Sequence, residues 1–130
     1  AGIAGALPAL SRAMEMQRRA ARVGFDWPQI EPVADKVIEE IREFVEAQDG
    51  AEREDEFGDL LFSLVNLARW YEIDAESALR ATNGKFARRF ETIERYAAEA
   101  GRPLNEMSLD EMDALWERAK YSERSKEGSS

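Results

Sequence analysis

The chain has 130 residues and a net charge of −9, with an isoelectric point near 4.7. That length suits one domain with a modest core, and the sign of the charge argues against general affinity for nucleic acid or anionic membrane. Cysteine and histidine are both absent, which excludes disulfides, thiolate or imidazole metal ligands and histidine acid–base chemistry, and leaves carboxylates and lysines as the reactive groups.

No apolar run reaches the length of a membrane span, and the lack of cysteine accords with a cytoplasmic setting. The opening Ala1-Gly2-Ile3-Ala4-Gly5-Ala6 lacks the basic segment that begins a signal peptide. Leu7 to Val23 reads as a first helix, with Pro8 in its first turn and Gly24 past its end. Leu7, Leu10, Met14, Ala21 and the stems of Arg18 and Arg22 form its expected inner side. Phe25-Asp26-Trp27-Pro28 follows as a loop whose aromatics are expected to plug the open end of a helix bundle. The second helix is expected from about Glu31 to Ala47, with Pro32 tolerated near its start. Val33, Val37, Ile41 and Phe44 make its apolar stripe, and Lys36, Glu40 and Glu43 fall along one flank.

Gln48-Asp49-Gly50 signals a turn, so the second and third helices are expected to run antiparallel about a hinge at Gly50. The third, Ala51 to Tyr71, is the most hydrophobic and the expected central helix. Its stripe is Phe57, Leu60, Leu64 and Leu67, flanked by Glu56, Asp59, Ser63 and Asn66. Gly58 inside it costs about 1 kcal/mol relative to alanine; close helix approach, room for a ligand or simple tolerance would each explain it. Glu43 and Glu56 lie at nearly equal distances on either side of Gly50, as do Glu40 and Asp59, so each pair falls at nearly one height. Carboxylates crowded at a core edge repel one another and must protonate unless cations neutralise them; hard oxygen ligands suit Mg²⁺ or Mn²⁺. With 35% of residues charged, solvated helix faces yield the same E-x-x-E and E-x-x-D spacings. The matched heights therefore carry the metal reading.

The fourth helix is expected to begin at Asp74, a good N-cap, and to run to about Ala98, with Leu79, Phe86, Phe90, Ile93 and Ala97 at core spacing. Lys85 and Arg89 are an i,i+4 basic pair beside the Phe86–Phe90 stripe, for which pairing with Glu91 and Glu94 on a solvated face is the plain explanation. Gly101-Arg102-Pro103 ends the helix. Ser108-Leu109-Asp110-Glu111 is a capping box opening a last helix that is expected to end near Tyr121, with Trp116 and Lys120 on one face. Residues 1–121 are thus expected to form the domain, and 122–130 a polar, disordered tail. The fold class is all-α, an antiparallel bundle of about five helices.

Arg19-Ala-Ala-Arg-Val-Gly-Phe-Asp-Trp27, Glu39-Glu40-Ile41-Arg42-Glu43, Glu56-Phe-Gly-Asp-Leu-Leu-Phe62, Val65-Asn-Leu-Ala-Arg69, Asn83-Gly-Lys-Phe-Ala-Arg-Arg-Phe90 and the closing Trp116 to Lys120 together resemble the MazG family of all-α nucleoside triphosphate pyrophosphohydrolases. The resemblance runs from Leu7 to about Lys120. It is strongest to the second of two related domains in the longer bacterial members, so an excised half is the expectation. It implies Mg²⁺-dependent hydrolysis of an NTP or dNTP between the α and β phosphates, giving the monophosphate and pyrophosphate, in nucleotide-pool sanitation or nucleotide-signal control. By matching position, Glu40, Glu43, Glu56 and Asp59 would be the metal ligands and Glu39 would orient or deprotonate the attacking water. Lys85 and Arg89 would contact the triphosphate, with Lys36, Trp116, Lys120 and Asn66 near the nucleotide. The family pairs such domains into homodimers or higher oligomers. A non-catalytic helical oligomerisation or regulatory module is the competing reading. A di-iron bundle is disfavoured, because such sites add a Glu-x-x-His pattern.

Overall fold

A computed structural model describes residues 7–128, with side chains through residue 124. The opening residues 1–6, read above as no signal peptide, and the last two residues of the expected tail lie outside the described residues. The chain contains helices α1 (Ala9–Arg22), α2 (Ile30–Glu46), α3 (Gly50–Trp70), α4 (Ala75–Glu99) and α5 (Leu109–Gly128), with one 3-10 turn at Leu104–Glu106 and no strand among the described residues. The fold is all-α, as the periodicity predicts. It divides into two compact units, Ala1–Leu79 and Arg80–Ser130.

In the first unit, α2 and α3 form an antiparallel hairpin and α1 packs on α3. The turn between α2 and α3 differs from the expected glycine hinge. Ala47 and Asp49 are extended, and Asp49 caps α3 by accepting the Glu52 N–H at 2.8 Å. Gly50 is already helical, so its left-handed freedom is not used. That freedom is used at Gly24, where φ is +91° and the Phe25 N–H reaches back to the Ala20 carbonyl, turning the chain out of α1.

Among the described residues of this unit, Met14, Val33, Val37, Ala47 and Val65 are the buried apolar ones. The expected stripes are only half right. On α2, Val33 and Val37 are buried but Ile41 is exposed; on α3, Val65 is buried while Phe57 and Leu64 are exposed. An apolar surface nearly all round α3 fixes no single inward face, so periodicity alone could not choose. Arg18 and Arg22 are also exposed, and the buried polar residue of α1 is Gln17, whose Nε2 donates to the Phe62 carbonyl at 2.9 Å. A methyl group added at Gly58 would meet nothing within 4 Å, so close helix approach does not account for that glycine. Met14 is 3% exposed, and Met14→Ala is expected to cost about 2 to 5 kcal/mol, read from the urea midpoint.

In the second unit, Ile93, Ala97 and Ala119 are buried. Phe86 and Phe90 are exposed instead of buried, their rings stacked 5.9 Å apart, and Phe86 also lies 5.3 Å from the Trp116 ring. The capping box forms as expected. The Glu111 N–H donates to Ser108 Oγ at 3.1 Å, and the Ser108 N–H to Glu111 Oε1 at 3.2 Å. α5 continues past Tyr121 to Gly128, correcting the expected end. No proline interrupts Ser122–Glu127, and Glu123 is tied to Arg89 at 2.9 Å.

Candidate functional site

The α2–α3 hairpin brings acids together from both helices. Oxygens of Glu40, Glu43 and Glu56 lie within 4.8 Å of one another, and so do those of Asp55, Glu56 and Asp59. Glu56 belongs to both groups. Asp59 therefore joins the acids through its own helix, where Asp55 and Glu56 lie one turn away, and the group that holds it lacks Glu40.

Their environment could hold a cation. Glu40 is 4% exposed; its Oε1 accepts from Lys36 Nζ at 2.8 Å, while its Oε2 and that of Glu56 are buried with no hydrogen-bond partner. Such orphaned acceptors are costly unless something neutralises them. The Glu43 carboxyl is pushed up to about 7, first by loss of surrounding water, then by the Glu40 charge and by donation of its proton to Glu56. Glu56 is raised as well, by burial first and by the Asp59, Glu40 and Asp55 charges, against the lowering hydrogen bond from Glu43. The pair thus holds a proton where two carboxylates cannot both ionise. The all-oxygen donor set with unpartnered oxygens fits a hard divalent cation.

Lys36 links these acids to a cavity. Its Nζ lies 3.6 Å from Glu39 as well as 2.8 Å from Glu40, and the lysine is held above its usual pKa chiefly by the Glu40 hydrogen bond. The cavity, about 570 Å³, lies in the first unit; Lys36, Ser63, Asn66 and Arg69 line it beside Gln17, Phe25, Trp27 and Phe62. Phe25 is 82% exposed, so the Phe25–Trp27 loop walls this cavity and does not plug the bundle. Arg69 fastens the loop through a two-point pairing with Asp26, Nη2 to Oδ1 at 2.6 Å and Nη1 to Oδ2 at 3.1 Å. That pairing holds the Asp26 carboxyl below its ordinary range.

The other expected residues lie in the second unit. Lys85 is exposed. Arg89 is half-buried, its Nε donating to Glu123 and its guanidinium 5.6 Å from the Trp116 ring centre. Its ion partner is thus on α5, and not Glu91 or Glu94. Lys120 Nζ lies 3.7 Å from Glu117.

A family model described as the MazG nucleotide pyrophosphohydrolase domain matches residues 29–93, which is half of the chain and spans both acid segments. The chain belongs to the MazG family. It is 47% identical over 88% of its length to the nucleoside triphosphate pyrophosphohydrolase/pyrophosphatase MazG of Thermotoga maritima, covering 45% of that protein. It is 48% identical over 90% of its length to the nucleoside triphosphate pyrophosphohydrolase of Escherichia coli K12, covering 46%. A 69-residue stretch is 58% identical to the uncharacterized protein YabN of Bacillus subtilis. This MazG domain thus spans about half the length of the curated relatives it matches. No described helix is long and apolar enough to cross a membrane.

Sequence reasoning gave no role to Asp55, Gln17, Asp26 or Arg69. Asp55 was legible as the i−4 neighbour of Asp59. Asp26 and Arg69 meet across 43 residues, a contact that no local period announces.

Proposed function

We propose that the chain hydrolyses nucleoside triphosphates, NTP or dNTP, between the α and β phosphates, giving the monophosphate and pyrophosphate, with Mg²⁺ held by Glu40, Glu43, Glu56 and Asp59. The observation that carries this is the convergence of Glu40, Glu43 and Glu56 around oxygens with no partner. The names of the Thermotoga and Escherichia relatives support the reaction class. When bound, the metal supplies charge neutralisation at the phosphates and an acidified water. Mn²⁺ would satisfy the same hard donor set.

The chain's own residues have these roles. Glu39, exposed on the α2 turn beside Lys36, orients or deprotonates the attacking water. Lys36 balances Glu40 and stands at the cavity, which takes the nucleoside end, with Asn66 on the same wall. A volume of about 570 Å³ lies within the range of small-molecule pockets. Lys85 and Arg89 contact the triphosphate as a point charge and a planar fork, and Trp116 and Lys120 lie near the nucleotide.

We also place the protein in the cytoplasm as a homodimer, with higher assembly open, and without nucleic-acid or membrane partners. Ile38, Ile41 and Val45 on α2 and Phe57, Leu61 and Leu64 on α3 are exposed at helical spacing, Val45 to 73%. Two such stripes on one hairpin suit an obligate interface. Light scattering should return twice the chain mass.

The test is pyrophosphate and monophosphate formation from a panel of common and modified triphosphates. Release is expected with Mg²⁺ and none with excess chelator. A folded sample that is silent across the panel, and whose melting ignores added metal, would replace this reading with a non-catalytic helical module.

A further inference from the structure

Phe25, Trp27 and Phe62 line the cavity of the first unit. Phe62 belongs to α3, whereas Phe25 and Trp27 are carried by the loop that follows α1. Neither loop ring is buried, so core packing alone does not fix where they stand.

What ties this loop to α3 is polar. One edge of the Arg69 guanidinium meets both carboxylate oxygens of Asp26, the residue between the two aromatics. The adjoining edge, Nε and Nη2, donates to Asn66 Oδ1 at 3.1 and 2.7 Å. The Trp27 N–H donates to Asp26 Oδ1 at 2.8 Å, which fixes the loop end of the clasp. The Arg69 and Asp26 side chains are only 14% and 25% exposed, so the pair is shielded from the water that weakens surface ion pairs. A flat group with donors in fixed directions holds the loop at one angle to the helix, which a lysine cannot do. Asp26, Asn66 and Arg69 line the same cavity as the rings.

We infer that Asp26 and Arg69 are positioning residues, whose clasp holds Phe25 and Trp27 as an aromatic wall against which the cavity receives the flat ring of a nucleobase. This rests on the reading above, in which the cavity takes the nucleoside end. An aromatic wall meets the ring by its face, and it does so only while the loop is held in place. Without the clasp the loop is tied to α3 by neither edge of Arg69, and ordering it would oppose each binding event.

Calorimetric titration in Mg²⁺ with adenosine 5′-monophosphate and ribose 5-phosphate isolates the ring, because the two ligands share sugar and phosphate. The nucleotide is expected to bind at least about tenfold tighter. Arg69→Met should shrink that margin to below about threefold while metal-induced stabilisation at the acids is kept. Asp26→Asn still accepts the Trp27 N–H and should shrink it in the same way, which reads the clasp even where Arg69→Met is too unstable to titrate. Phe25→Ala trims an exposed ring and should lose part of the margin by removing the wall itself. Because the clasp acts through that wall, combining Phe25→Ala with Arg69→Met should lose no more than Arg69→Met alone. In turnover the clasp variants should raise KM for the triphosphate and leave kcat nearly unchanged. A smaller margin in the unmodified protein, binding of neither ligand, a margin that survives breaking the clasp, or a further loss in the double variant overturns the inference. A margin that follows the clasp, without any pyrophosphate release, removes the proposed activity and leaves this inference standing. Pyrophosphate release with no such margin does the reverse.

Discussion

Replacing Glu56 by glutamine is expected to lower metal-dependent pyrophosphate release by at least about a hundredfold, while helical content is unchanged. Glu56 is the carboxylate common to both acid groups, so its loss takes a ligand from each at once. Asp59 sits in only one of them and is exposed, so Asp59→Asn should cost less. The same substitution should have the opposite effect on the metal-free protein. Glu56 accepts the Glu43 proton and feels the Asp59, Glu40 and Asp55 charges; a neutral amide of similar shape still accepts that proton and removes the repulsion. Metal-free Glu56→Gln should therefore melt no lower than the unmodified chain, and added metal should no longer raise its melting temperature. Sites poised to bind charge commonly cost stability in this way. Glu54→Gln, on an exposed part of the same helix, is the control and should behave as the parent does. Full turnover in Glu56→Gln would dismiss the acids as the metal site.

The sequence showed the helices and where acids accumulate because both are local. Capping residues and the 3.6-residue period place Asp74 and Ser108 at helix starts, and both do cap. Counting along two helices from a shared turn placed Glu43 opposite Glu56 even though the turn is made by Asp49 and not by Gly50. What stayed hidden is what depends on a third element. The rotation of α3 about its axis is set by α1 and α2 together, so Val65 goes inside and Phe57 and Leu64 do not. The Asp26–Arg69 clasp and the Gln17–Phe62 hydrogen bond likewise join α1 or its loop to α3 across long sequence separations. Polar residues that meet in this way leave no hydrophobic period behind them.

The shared proton makes metal binding and stability depend on pH in opposite senses. In the unfolded chain Glu43 ionises near its ordinary value of 4.5, whereas in the metal-free fold it ionises near 7. Between those values the folded state binds more protons. The associated stability is therefore fully present below about 4.5 and is lost as pH rises through about 7. A cation needs the carboxylate ionised, so binding must expel that proton below about 7 and need not do so well above it. Apparent affinity for Mg²⁺ or Mn²⁺ is accordingly expected to climb by about tenfold per pH unit up to about 7 and then to level off. The melting-temperature gain on adding metal should widen over the same interval, because the metal-free protein is weakening while the metal-bound one is not. Calorimetric titration in two buffers of different ionisation enthalpy should register close to one proton released at about pH 6 and far fewer at about pH 8. Glu43→Gln should flatten the metal-free stability profile and abolish the proton release, since the glutamine has nothing to titrate. A metal affinity that does not change between about pH 6 and pH 8 would mean that Glu43 holds no proton in the fold, and that the acids are kept apart by something other than the proton they share.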